Sequence, residues 1–152
     1  MIYSTRIMSR TLALALALAG AGVAQAQSTV AELLEKGGKL LTKAEFLEMI
    51  PARVQQQWPN RQGEEDLVLS GDGKISGTGY HYSSRSDSPV TGQWTVEDDG
   101  KICAPKTFTA WRNSINLCWY VYKLGGDYFG AQKTEPEARV GKVKSMQKVA
   151  AQ

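Results

Sequence analysis

Residues 92–105 read GQWTVEDDGKICAP and residues 117–130 read LCWYVYKLGGDYFG. Each is a pair of short apolar or aromatic runs around a tight-turn signal, Asp99-Gly100 in the first and Gly125-Gly126 in the second. Each also holds one of the two cysteines, Cys103 and Cys118. With two cysteines, only one pairing is available. An antiparallel hairpin that sets Cys103 opposite Cys118 also sets Ile102 opposite Trp119 and Ala104 opposite Leu117, so apolar side chains meet on one face. A disulfide closing a loop of about 15 residues stabilises a fold by about 3 kcal/mol in the chain-entropy account. The rival reading, a redox or metal pair, is disfavoured because there is no CxxC and only one histidine.

Working outward from this frame, Asp72-Gly73 supplies a further hairpin signal. Strands are expected at 66–70, 74–82, 91–97, 101–108, 116–123 and 127–132, with a less regular seventh around 139–147. Residues 53–65, RVQQQWPNRQGEE, read as a polar connection, and residues 83–90, SSRSDSPV, as a polar loop. The similar pieces DGKIS at 72–76 and DGKIC at 99–103 share a turn requirement and are too few to make a repeat protein.

Two short helices precede the strands. STVAELLEKGG at 28–38 and LLTKAEFLEMIP at 40–51 each carry a capping box, Thr29 with Glu32 and Thr42 with Glu45. Leu41 and Phe46 stand where a hydrophobic staple would close over the second cap. Leu33, Leu34, Phe46, Leu47 and Ile50 are the side chains expected to bury. Helices this short need a surface to pack on. The expected fold is α+β, mainly β: two short N-terminal helices packed on a six- to seven-stranded antiparallel sheet, strongly curved or partly closed like a barrel.

The first residues, MIYSTRIMSRTLALALALAGAGVAQAQ, have the charge, apolar run and small-x-small ending of a secretory leader at 1–26. The apolar run is shorter than the roughly 20 residues a membrane span needs. The expected organisation is a leader at 1–26, a helical lead at 27–52, a sheet core at 53–132 and a basic C-terminal strand or tail at 133–152. The leader carries two of the 18 basic residues and none of the 15 acidic ones, which puts the mature chain at +1. That balance excludes a general nucleic-acid binder. A periplasmic or secreted location follows from the leader, with no integral membrane segment after its cleavage.

No nucleophile elbow, zinc set or phosphate loop occurs. The DGK turns fail as calcium loops: with Gly73 or Gly100 at the sixth position, the first and twelfth positions hold no carboxylate. No catalytic residue, metal or cofactor is therefore assigned. His81, in GTGYHYSS, is the one side chain that could act as a general base near neutral pH. The aromatic residues Trp94, Trp111, Trp119, Tyr120, Tyr122, Tyr128 and Phe129 gather in the C-terminal half. Trp111, Arg112 and Asn113, in the 109–116 loop closed by the disulfide, are the candidate contacts, joined by Tyr120 and Tyr122 beside it.

Taken together and in order, GGKLLTKAEFLEMI, DGKISG, GQWTVEDDGKIC, CWYVYK and GGDY resemble domain of unknown function 995, a family of small exported proteobacterial proteins. The resemblance covers roughly 36–129. It implies a periplasmic or secreted domain built on a sheet, and it transfers no activity. The Gly-x-Trp and paired-cysteine pattern is also similar, in architecture alone, to exported β-barrel inhibitors. The leading expectation is a non-enzymatic, inhibitor-like binding module for an unknown protein or small-molecule ligand. The alternatives are a lipid or glycan carrier with an aromatic-lined pocket, and a small hydrolase using His81.

Overall fold

The computed structural model of the chain describes residues 28–150, so the leader expected at 1–26 lies outside the described residues. Two short helices and thirteen strands follow in the order α1 (Val30–Glu35), β1 (Lys39–Leu40), α2 (Lys43–Glu48), β2 (Ala52–Gln57), β3 (Gly63–Leu69), β4 (Lys74–His81), β5 (Ser86–Gln93), β6 (Thr95–Val96), β7 (Ile102–Cys103), β8 (Lys106–Phe108), β9 (Asn113–Ile115), β10 (Cys118–Leu124), β11 (Asp127–Ala131), β12 (Val140–Lys142) and β13 (Ser145–Lys148). The fold is mainly β, as expected. The strands form two antiparallel sheets where one was expected, and neither closes into a barrel. Seven strands run β13-β2-β3-β4-β5-β8-β9, and the second sheet runs β12-β11-β10-β7-β6 with β1 added against β10.

The cysteine frame has the register read from the sequence. Cys118 pairs with Cys103 and Trp119 with Ile102, and the Ala104 amide donates to the Leu117 carbonyl. The disulfide joins Cα atoms 4.0 Å apart. The same register continues past Pro105 into the other sheet, with Lys106 opposite Ile115 and Phe108 opposite Asn113. The loop expected at 109–116 is therefore shorter, because Asn113–Ile115 is strand.

Two segments read as irregular are strands. Ala52–Gln57 pairs with β3 along its whole length; its inner face holds the buried Ala52 and Val54 and then Gln56, which turns in toward Glu65, while Arg53 faces out. Ser86–Gln93 pairs with all of β4 despite Pro89. The Pro89 carbonyl accepts from the Thr109 amide on the side away from β4, so the missing N–H falls on that side and the β4 ladder is unbroken. The uncertain region at 139–147 resolves into β12 and β13, one in each sheet.

Both capping boxes form. Phe46 of α2 enters the main core and meets Trp94 edge-on, 5.6 Å between ring centres. Leu41 joins the same cluster, together with Val54, Leu67, Leu69, Ile75, Val90, Phe108 and Met146 from the larger sheet and Ile102 and Val121 from the smaller. α1 lays Val30 and Leu33 on Tyr122, Ala131 and Val140, on the other face of the smaller sheet. Leu34 and Leu47, expected inside, are 49% and 43% exposed, because helices of two turns bury only one narrow stripe.

Among the described residues no helix is long and apolar enough to cross a membrane.

Candidate functional site

Three turns of the larger sheet lie at one end of it: residues 58–62 between β2 and β3, 82–85 between β4 and β5, and 109–112 between β8 and β9. They bring together side chains distant in sequence. Trp58 stands edge-on to Phe108 at 5.6 Å and to Trp111 at 5.8 Å, and it lies 5.8 Å from the His81 ring. Trp111 stacks on Phe108, and His81 flanks Trp111 at 6.1 Å. Small inner residues make room for these rings. A methyl added at Gly63 would overlap the Trp58 ring and the Tyr80 carbonyl, and one at Gly79 would overlap Phe108.

Hydroxyl groups fix the rim. The Trp111 indole N–H donates to Ser86 Oγ at 3.1 Å, and Ser86 Oγ shares a 2.8 Å hydrogen bond with Ser84 Oγ. His81 Nδ1 lies 3.1 Å from Ser83 Oγ and 3.3 Å from Ser84 Oγ, and it accepts from the Ser84 amide. No carboxylate hydrogen-bonds to His81 among the described residues. These are short-range turn contacts of the kind serine side chains make with nearby groups.

Beneath the aromatic rings lies a buried charge pair. The alternation in GEEDLVL places Gly63, Glu65, Leu67 and Leu69 on the buried face of β3. The Glu65 and Lys106 side chains are each 1% exposed. Lys106 Nζ and Gln56 Nε2 both donate to Glu65 Oε1. Glu65 Oε2 and Trp58 Nε1 are buried without a hydrogen-bond partner. Two ions this deep attract strongly but lose their hydration, so the pair is costly to break and contributes little net stability.

The five candidate residues fall into two groups. Trp111, Arg112 and Asn113 occupy the tip of the β8–β9 hairpin. Trp111 is half-buried, and the other two are exposed. Tyr120 and Tyr122 lie on β10, in the other sheet. The Tyr120 hydroxyl donates to Asp99 at 3.0 Å, which holds the Asp99 carboxyl below its ordinary value after the larger effect of the Lys101 amide, and raises the tyrosine. Tyr122 is buried under α1, and desolvation raises its hydroxyl. Trp58, Glu65 and Lys106 were missed from sequence. The signal for Glu65 was present, because Leu67 and Leu69 share its face at a period of two.

All three described non-glycine residues with left-handed backbone are arginines: Arg61 (φ 56°), Arg85 (φ 49°) and Arg112 (φ 52°). One lies in each of the three turns. Each such conformation costs an L-residue about 1 kcal/mol, and asparagine or glycine would relieve it.

The cavity between the sheets, lined by Phe46, Val54, Leu67, Trp119, Val121 and Met146 among others, measures about 20 Å³, room for one water. An open depression of about 360 Å³ lies along Thr91, Thr107 and Ser114 on the outer face. Among the described residues no three His, Cys, Asp or Glu side chains group to hold a metal ion. Comparison with protein-family models, with curated proteins and with solved structures found no match.

Proposed function

We propose that this chain is an exported, non-enzymatic binding module, inhibitor-like in its manner of action, which docks a partner protein at the end of the larger sheet formed by turns 58–62, 82–85 and 109–112. The observation that carries this reading is the convergence of Trp58, His81, Phe108 and Trp111 across three separate turns. Tryptophans held on a rigid frame and ringed by polar groups have the composition of an interface centre. Disulfide pairing and the leader support the exported location. The resemblance to domain of unknown function 995 agrees with that location and adds no activity.

The two sheets serve this role as one barrel-like wall in our reading. β5 runs on into β6, β7 into β8, β9 into β10 and β12 into β13, each passing from one sheet to the other. Such continuity would make the docking end stiff.

A carrier needs an interior of several hundred Å³, and the interior cavity is about 20 Å³. A hydrolase using His81 needs an acid to orient the ring, and serines occupy that place. Both are therefore ranked below the docking reading.

The test is site-specific crosslinking in the native compartment. A photoreactive amino acid at Asn113 is expected to give a discrete covalent adduct, and the same group at Asp98, at the opposite end, is expected to give none. Equal adducts from both positions, or none from Asn113, would reject the docking end.

A further inference from the structure

We infer that the docking end receives a carboxylate-rich protein segment, gripped by Arg61, Arg85 and Arg112; this rests on the docking role proposed above. The backbone supplies the first observation. Left-handed turn positions favour asparagine or glycine, yet all three such non-glycine positions among the described residues hold arginine. The cheaper residue is adjacent in two of the turns, at Asn60 beside Arg61 and Asn113 beside Arg112. A one-residue exchange would relieve the strain. Where local preference is violated at three converging positions, a function of the side chain is the physical explanation.

The second observation is charge. Lys43, Arg53, Lys74, Lys101, Lys106, Lys142 and Lys144 form ion pairs within the chain. None of the three turn arginines does so, and none of their side chains donates a hydrogen bond among the described residues. Of the carboxylates at this end, Glu64 is occupied by Lys144, and Asp87 is exposed two residues past Arg85. The opposite end carries Asp72, Glu97, Asp98 and Asp99 in its turns. The arginines thus face solvent as unpaired planar donors, suited to bidentate carboxylates.

A protein segment fits better than the other anions. Duplex affinity rests on many phosphate contacts along a basic track, and this end offers three unpaired arginines. A membrane surface would be met by protruding apolar side chains, whereas Trp58 and Trp111 are half-buried against one another. Those rings lie at the same end of the sheet as the three arginine-bearing turns, and together they give a peptide both apolar and charged contacts.

The test uses the mature chain and a fluorescent poly-glutamate peptide at about 20 mM salt, where exposed charges are little screened. Saturable binding is expected. The triple variant Arg61→Asn, Arg85→Asn, Arg112→Asn should lose about tenfold or more in affinity. A control with the same charge removed elsewhere, Lys36→Gln, Lys133→Gln, Lys148→Gln, should lose less than about threefold. No binding by the parent chain, equal losses in the two triple variants, or tighter binding to duplex DNA or phosphatidylglycerol vesicles than to the peptide would overturn the inference. The Asn113 crosslink separates it from the docking role. An adduct that persists in the arginine variant leaves the docking end standing and removes its acidic ligand. Absence of any adduct removes the docking end itself.

Discussion

The ring of Trp111 lies on that of Phe108, with centres 5.0 Å apart and planes inclined by 20°. Phe108 is buried in the main core and Trp111 is half-buried at its rim, so this stack ties the tip of the β8–β9 hairpin to the interior. Replacing Trp111 with alanine is expected to cost about 2 kcal/mol, below the 3–5 kcal/mol of a fully buried tryptophan. Phenylalanine should recover most of it. Urea unfolding of the two variants measures the difference.

Relieving the left-handed turns should have the opposite effect on stability. Arg85→Asn is expected to raise the unfolding free energy by about 0.5–1 kcal/mol, since asparagine tolerates that conformation. The gain would show as a higher urea midpoint with an unchanged slope. A loss of stability would mean that the Arg85 side chain itself supports the fold.

The buried pair should behave asymmetrically. Lys106→Met alone strands the Glu65 carboxylate in the interior and is expected to cost about 3–5 kcal/mol. Adding Glu65→Leu should restore most of the loss, because two apolar side chains then pack where two desolvated ions stood. A double-mutant cycle by thermal or urea unfolding reads the coupling.

Acid should loosen the outer face of the β2–β3 pair and its link to β13. Arg53 holds Asp66 through hydrogen bonds of 2.6 and 2.8 Å and lowers its carboxyl below the ordinary value. Lys144, assisted by Tyr82, lowers Glu64 in the same way. A carboxyl that binds protons less readily when folded stabilises above its unfolded pKa and loses that contribution as pH falls through and below it. The melting temperature should therefore fall below about pH 4.5, and Glu64→Gln should flatten that fall. These groups are largely exposed, so the effect should shrink in high salt.

Reduction of Cys103–Cys118 should cost about 3 kcal/mol, the amount expected for a closed loop of 15 residues. The Cys103→Ser, Cys118→Ser variant, compared with the oxidised chain in urea, checks it.

What the sequence disclosed follows from where side chains declare their face. The cysteine frame was legible because Ile102, Ala104, Trp119 and Val121 are apolar at a period of two, and the helix caps were legible because capping boxes are local. β2 was hidden because ARVQQQ puts only two apolar side chains, Ala52 and Val54, on its inner side, and the third inner position is the polar Gln56. β5 was hidden by Pro89, whose missing donor matters only on one side of the strand. At the site, Trp111 was legible as a candidate contact of the 109–116 loop. Its packing on Phe108 and Trp58 depends on three turns meeting, which no local pattern encodes. Glu65 was passed over because the strand was expected to start one residue too late to show that Glu65 points inward.

The hairpin from the disulfide to Phe108 and Asn113 keeps one uninterrupted register while it crosses between sheets. Its tip, Thr109 to Arg112, is thereby a cassette on a clamped stem. Residues can be exchanged or inserted there without shifting which faces point inward, whereas deleting a single residue from either leg would turn a whole strand over. Variation in the side chains that this hairpin presents is thus confined by geometry to the tip, and the stem is where it cannot occur.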